Sequence, residues 1–154
     1  TQARPKVGDY PFTTLTPALG VLSDREKTFV IADIPGIIEG ASQGKGLGLA
    51  FLKHIERTNA LLIVLDLSSD DVKGDYQTLL YELGTYKDTI LQKRRLVILN
   101  KSDLVPKDVA ARWRSYLKRK GEKVTVVSAL TLAGMEELVE AISEGVEALR
   151  QSPA

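Results

Sequence analysis

Apolar residues fall along this chain in two rhythms. Short dense runs occupy residues 19–22, 28–34, 60–67, 96–99 and 124–127. Their length and their content of Val, Ile, Leu and Phe predict strands. Between and after them, apolar positions recur every third or fourth residue, the spacing of one helix face. Leu47, Phe51, Leu52 and Ile55 form one such stripe, and Tyr76, Leu79, Leu80 and Leu83 a second. Val109, Trp113 and Leu117 form a third, and Met135, Leu138, Val139, Ile142, Val146 and Leu149 the last. A polar turn over 23–27 predicts a hairpin between the first two strands. The near-continuous run at 60–67 is expected to be a parallel strand buried on both faces. Residues 1–17 carry Pro5, Pro11 and Pro17 around Thr13, Thr14 and Thr16, which predicts an extended, irregular entry. The order β-β-α-β-α-β-α-β-α predicts an α/β fold, a mostly parallel sheet flanked by helices.

Bulk properties narrow the picture modestly. The 154 residues suit one domain, and 44% apolar with 27% charged residues is an ordinary globular composition. A net charge of +1 gives no global bias toward nucleic acid or membrane. The absence of cysteine excludes disulfides, thiolate zinc sites and cysteine nucleophiles. The longest apolar run, 60–65, is too short to span a bilayer, and no signal-peptide pattern precedes the first strand. A cytoplasmic protein with no membrane partner is expected. The Lys- and Arg-rich stretch 112–123 reads as a solvated helix face, with Trp113 in the core of that helix. His54, the single histidine, is expected to be structural.

The candidate chemistry gathers at predicted strand ends, where open parallel sheets bind ligands. Asp33 ends the run 28–34, and a segment with glycine at 36, 40, 44, 46 and 48 follows. An Asp there can hold Mg²⁺ directly or through water, and the Gly36 amide can donate to a terminal phosphate. A strand-end turn with a flexible loop would look the same. Thr13 and Thr14 stand in the proline-rich entry, where a threonine hydroxyl could ligate Mg²⁺ while its amide meets the phosphate.

Asn100-Lys-Ser-Asp103 follows the run 96–99. A carboxylate at Asp103 can accept two parallel bonds from the ring N–H and exocyclic amine of guanine. A site built for paired donors discriminates strongly, because the wrong base leaves buried polar groups unpaired. The Lys101 stem can lie across the base plane, and the Asn100 amide can tie neighbouring loops together. Asp103 could instead cap the helix that contains Val109. Ser128-Ala129 follows the next strand, where a backbone amide could meet the guanine carbonyl.

Over its whole length the chain resembles the G domain of the Obg family of GTPases. The resemblance is carried by Asp9-Tyr-Pro-Phe-Thr-Thr-Leu15, Pro17-Ala-Leu-Gly20 and Ala32-Asp-Ile-Pro-Gly-Ile-Ile-Glu-Gly-Ala41. It continues through Gly44-Lys-Gly-Leu-Gly48, Phe51-Leu-Lys-His-Ile-Glu-Arg57, Asn100-Lys-Ser-Asp103 and Ser128-Ala129. It implies a P-loop NTPase-like G domain that binds GTP and GDP with Mg²⁺ and hydrolyses GTP. It also implies a role in assembly of the large ribosomal subunit. Thr14, two places after Phe12, resembles the switch threonine that reaches Mg²⁺ and the γ-phosphate. Asp33 and Gly36 resemble the second switch pair, with Thr14 and Asp33 the metal ligands. Asn100, Lys101, Asp103, Ser128 and Ala129 complete the implied nucleotide-binding set. Ile37 stands where Ras-like enzymes orient water with glutamine, so slow intrinsic hydrolysis is expected and no catalytic residue is assigned.

One element of the family pattern has no match. No Gly-x-x-x-x-Gly-Lys-Ser/Thr occurs, and Gly40 to Lys45 has the wrong spacing and position. The expectation is a G domain truncated at its amino terminus, a fragment over 1–154 that starts after the phosphate-binding loop, and a monomer. An inactive guanine-nucleotide-binding fragment, or an RNA- or protein-interaction module using the basic stretch 112–123, is the alternative.

Overall fold

The computed structural model describes the backbone of residues 2–7, 18–24 and 27–33, and residues 55–151 in full. By contact the chain divides into two compact units, residues 1–58 with 78–92 and residues 59–77 with 93–154. The described strands form two three-stranded sheets.

The first sheet is antiparallel, in the order β1 (Gln2–Val7), β2 (Ala18–Asp24), β3 (Lys27–Asp33). Asp24 and Lys27 are register partners, so β2 and β3 pair as the expected hairpin, with two residues between them in place of the expected turn over 23–27. β1 departs from the expected irregular entry. Its Pro5 lies opposite Gly20 on an outer strand of this sheet, where a residue without an N–H is tolerated. Pairing with β2 is a non-local contact, which a local proline signal does not report.

The second sheet is parallel, in the order β4 (Ala60–Asp66), β5 (Arg94–Asn100), β6 (Val124–Val126). Helices α1 (Val72–Tyr86), α2 (Lys107–Arg119) and α3 (Met135–Gln151) alternate with these strands, the parallel α/β arrangement expected. β5 is buried on both faces: Leu96, Val97, Ile98 and Leu99 are all inside. The apolar stripe of α3 packs there, with Met135, Leu138, Ala141 and Ile142 against Leu96, Ile98 and Val127.

β4 differs from the expected doubly buried strand. Leu61, Ile63 and Leu65 are buried, but Leu62 and Val64 are 37% and 59% exposed. Their register partners are Leu96 and Ile98, so all four share one sheet face. α3 reaches the β5 half of that face. A run of apolar residues reports what a strand can bury, whereas cover depends on which helix packs where.

A polar cluster interrupts this core. Arg95 on β5 grips the buried carboxylate of Glu122 through Nε, at 2.8 Å from Oε1 and 3.0 Å from Oε2, and also through Nη2. The Tyr76 hydroxyl donates to the same Oε1 at 3.2 Å. Burial first, and then the Glu122 charge, push the Tyr76 phenol up to about 12, so it remains a donor at neutral pH. The bond to Glu122 raises the Arg95 guanidinium further. In the other unit, Glu56 accepts from Lys87 Nζ at 2.5 Å and from the Tyr86 hydroxyl at 3.1 Å, beside the buried Leu83 and Ile90.

Removing one partner of a buried pair strands the other charge. Arg95→Met is expected to cost about 3 kcal/mol in urea denaturation. The double substitution Arg95→Met with Glu122→Met should recover most of that loss, since no charge is then left unpaired.

Candidate functional site

Parallel pairing places the carboxyl ends of β4, β5 and β6 along one edge of the second sheet. The register sets Asp66 beside Asn100 and Leu99 beside Val126. The strand-end backbones are then cross-bonded: Leu67 N–H to the Asn100 carbonyl at 3.0 Å, Val127 N–H to that of Leu99 at 2.8 Å, and Ser102 N–H to that of Val127 at 3.1 Å. Loops leaving neighbouring strands are thereby held side by side.

Five of the residues expected from the sequence meet on this edge. Asn100 Oδ1 accepts from the Ala129 N–H at 3.0 Å, joining the loops after β5 and β6. Ser128 is fully buried; its hydroxyl donates to Asp103 Oδ1 at 2.7 Å and accepts from the Thr131 N–H at 3.1 Å. Asp103 sits in a 3-10 turn, Ser102–Leu104, with its side chain toward solvent. It does not cap the next helix, because α2 begins after Pro106 with no side-chain cap. Pro106 has no N–H to donate, and its fixed φ suits a helix start. The Asp103 carboxylate is thus anchored from one side by Ser128 and presented at the strand ends.

Lys101 precedes that turn with φ 64° and ψ 36°, a left-handed conformation that costs a residue with a Cβ roughly 1–2 kcal/mol. Its ammonium reaches the end of β4, where Nζ lies 2.8 Å from Asp66 Oδ2. Asp66 Oδ1 accepts from the Ser68 N–H at 2.8 Å and the Ser68 hydroxyl at 2.6 Å. The Lys101 bond first, then both Ser68 bonds, hold the Asp66 carboxyl at about 2. Asp66 and Ser68 were not anticipated from the sequence. The available signal was position, since Asp66 closes a strand as Asp33 and Asn100 do.

The loop after Ser128 is closed by backbone bonds, Ser128 N–H to the Ala133 carbonyl at 3.0 Å and Leu132 N–H to the Ser128 carbonyl at 2.8 Å. Gly134 ends it at φ 78°, where an added Cβ would fall 2.2 Å from the Val126 carbonyl oxygen. Only glycine fits that approach.

Asp33 is the last residue of β3, opposite Ala18. Thr14, Gly36, Ile37, His54 and the glycine-rich stretch 40–48 lie outside the described residues. Among the described residues no group of three or more His, Cys, Asp or Glu side chains could hold a metal. The expected Mg²⁺ ligands, the Thr14 and Asp33 side chains, are not among those described. No described helix is long and apolar enough to cross a membrane. On α2 the Arg112, Lys118 and Arg119 side chains face solvent as expected, and so do Lys120 and Lys123 beyond it. Trp113 is half-buried and meets the Tyr116 ring edge-on, centroids 5.7 Å apart.

Residues 1–101 match the model of a family described as 50S ribosome-binding GTPase. A GTPase Obg of Chloroherpeton thalassium is 48% identical over 91% of the chain, and one of Chlorobaculum tepidum is 44% identical over 99%. The chain spans 41% and 44% of those proteins, less than half of each. Among solved structures, the G domain of the T. maritima FeoB iron transporter superposes with a TM-score of 0.66. That match covers 92% of this chain and 83% of the other at 20% identity, a likeness of fold.

Two outcomes follow for the described edge. Gly134→Ala should displace the loop 128–134 and lower the unfolding free energy read by urea denaturation, by more than the fraction of a kcal/mol that an ordinary surface change costs. The Asp66 carboxyl has a folded value below its unfolded one, so its bonds to Lys101 and Ser68 add a small, solvent-screened contribution to stability at pH 4 and above. That contribution should fade as pH falls from about 4 to about 2, with the carboxyl midpoint near 2 by carbon NMR.

Proposed function

The chain belongs to the 50S ribosome-binding GTPase family, and within it to the Obg GTPases, and from that premise we propose that residues 1–154 form the G domain of a GTP-hydrolysing switch. The reaction is GTP plus water to GDP plus phosphate. The observation that carries the reading is the pairing of Ser128 with Asp103 and of Asn100 with Ala129, which presents one carboxylate and one backbone amide at adjoining strand ends. Asp103 would accept the ring N–H and exocyclic amine of guanine. Ala129 would share its N–H between Asn100 and the guanine carbonyl, a three-centre arrangement. Adenine presents neither paired donors nor that acceptor.

Mg²⁺, held by Thr14 and Asp33, would supply charge neutralisation at the β- and γ-phosphates. Gly36 would donate its amide to the γ-phosphate. The segments around Thr14 and Gly36 would order about that group and relax after hydrolysis, the usual logic of a nucleotide switch. The partner of the switch would be the large ribosomal subunit, and the protein would act in the cytoplasm. Support for that partner is the family description and the identity to Obg GTPases.

The test is Asp103→Asn in the full-length protein. Losing a hydrogen-bonded charge should weaken GDP by about 2–5 kcal/mol, more than tenfold in affinity. Xanthosine diphosphate, whose second carbonyl suits an amide donor, should gain. An unchanged GDP affinity would overturn the assignment of Asp103. The exposed Lys and Arg of residues 112–123 support a second reading, an RNA-interaction module. It predicts RNA binding that Asp103→Asn leaves intact and that falls steeply with salt.

A further inference from the structure

We propose that Asp66 is a positioning residue for the guanine ring, pinning the ammonium of Lys101 so that the lysine stem forms a fixed apolar bar across the ends of β4 and β5. This rests on the guanine-site reading above, and it assigns a role to a side chain outside the expected nucleotide-binding set.

Three observations carry it. First, the parallel register places Asp66 beside Asn100, so the carboxylate stands next to the base-reading loop without any intervening element. Second, the carboxylate is itself fixed. Ser68 holds Oδ1 through both its N–H and its hydroxyl, leaving Oδ2 aimed at Lys101 Nζ. Third, the Lys101 backbone is in the left-handed region, a conformation that persists in a residue with a Cβ only where its surroundings impose it.

Stability does not account for this arrangement. The Lys101 and Asp66 side chains are 48% and 40% exposed, and an ion pair that open adds little to folding. A free lysine has four rotatable bonds and would sweep the strand ends. Tethered at both ends, its methylenes present one surface, and a flat ring can lie on it without ordering the chain at the moment of binding. The stem touches a ring face, which all purines share. Asp66 should therefore affect how tightly a nucleotide is held and leave the choice of base to Asp103.

The experiment is a double-mutant cycle on the full-length protein, using Asp66→Asn, Lys101→Met and the pair, read by release and affinity of fluorescent GDP, GTP and xanthosine diphosphate. Asp66→Asn should weaken GDP and GTP by about two- to fivefold, mainly through faster release. The ratio of GDP to xanthosine diphosphate affinity should stay as in the wild type. In the Lys101→Met background, Asp66→Asn should have no further effect. Ser68→Ala should act in the same direction more weakly and also lose its effect beside Lys101→Met, and it stands in should Asp66→Asn fail to fold. Wild-type binding in Asp66→Asn, or an equal loss whether or not Lys101 is present, would overturn the proposal. A shift in base preference on Asp66→Asn would overturn it too, because the residue would then be reading the base. These outcomes are separate from Asp103→Asn, whose failure would remove the guanine site itself.

Discussion

Everything at the described edge depends on the parallel register of β4, β5 and β6. Parallel strands must all end on the same side, and a fixed register decides which residues meet there. Here it sets Asp66 beside Asn100 and Leu99 beside Val126. Backbone bonds from Leu67, Ser102 and Val127 then carry that alignment past the last paired residues into the loops. A one-residue slip on β4 would replace Asp66 at the edge with Leu65 or Leu67. It would also turn the buried Leu61, Ile63 and Leu65 to the opposite face. The hydrophobic pattern that folds the sheet thus also places the carboxylate.

The loops beyond the register are tied down by local contacts. Ser128 is buried, so its hydroxyl must find partners, and it finds Asp103 on one side and the Thr131 amide on the other. Gly134 closes the same loop where no side chain fits. Lys101 accepts a left-handed backbone, and its ammonium is tied to a carboxylate that Ser68 already holds. The exposed Lys101–Asp66 pair contributes little to global stability. In the proposed guanine site such ordering would lower the entropy cost of binding.

Away from the edge, the described core tolerates the charged pair of Arg95 and Glu122 because its members are bonded to each other. Arg95, Glu122 and Tyr76 come from β5, from the turn before β6 and from α1, and the first two satisfy each other with several bonds. Replacing such a pair by apolar residues of similar volume is often neutral, whereas removing one partner is costly. The exposed Leu62 and Val64 are the counterpart. They share a sheet face with Leu96 and Ile98, yet α3 packs over the latter pair.

Apolar pattern alone determined the strand and helix order of residues 60–151, because dense apolar runs and stripes of period 3.6 are local features of the chain. The strand-end positions of Asp33 and Asn100, with Asp103 just beyond the latter, and the family resemblance, were likewise legible in one dimension. Chemistry that depends on residues far apart in the chain was not. That β1 pairs with β2 despite Pro5, that Leu62 and Val64 stay exposed, and that Glu122 is buried against Arg95 are all facts of non-local packing. Asp103 as cap or ligand was an open choice in the sequence, and the start of α2 at Lys107 removed the cap. Asp66 was invisible for the same reason: 35 residues separate it from Lys101, and only a parallel register brings the ends of β4 and β5 to one place. Local pattern selects the elements, and the hydrogen-bonded register between them decides which side chains share a site.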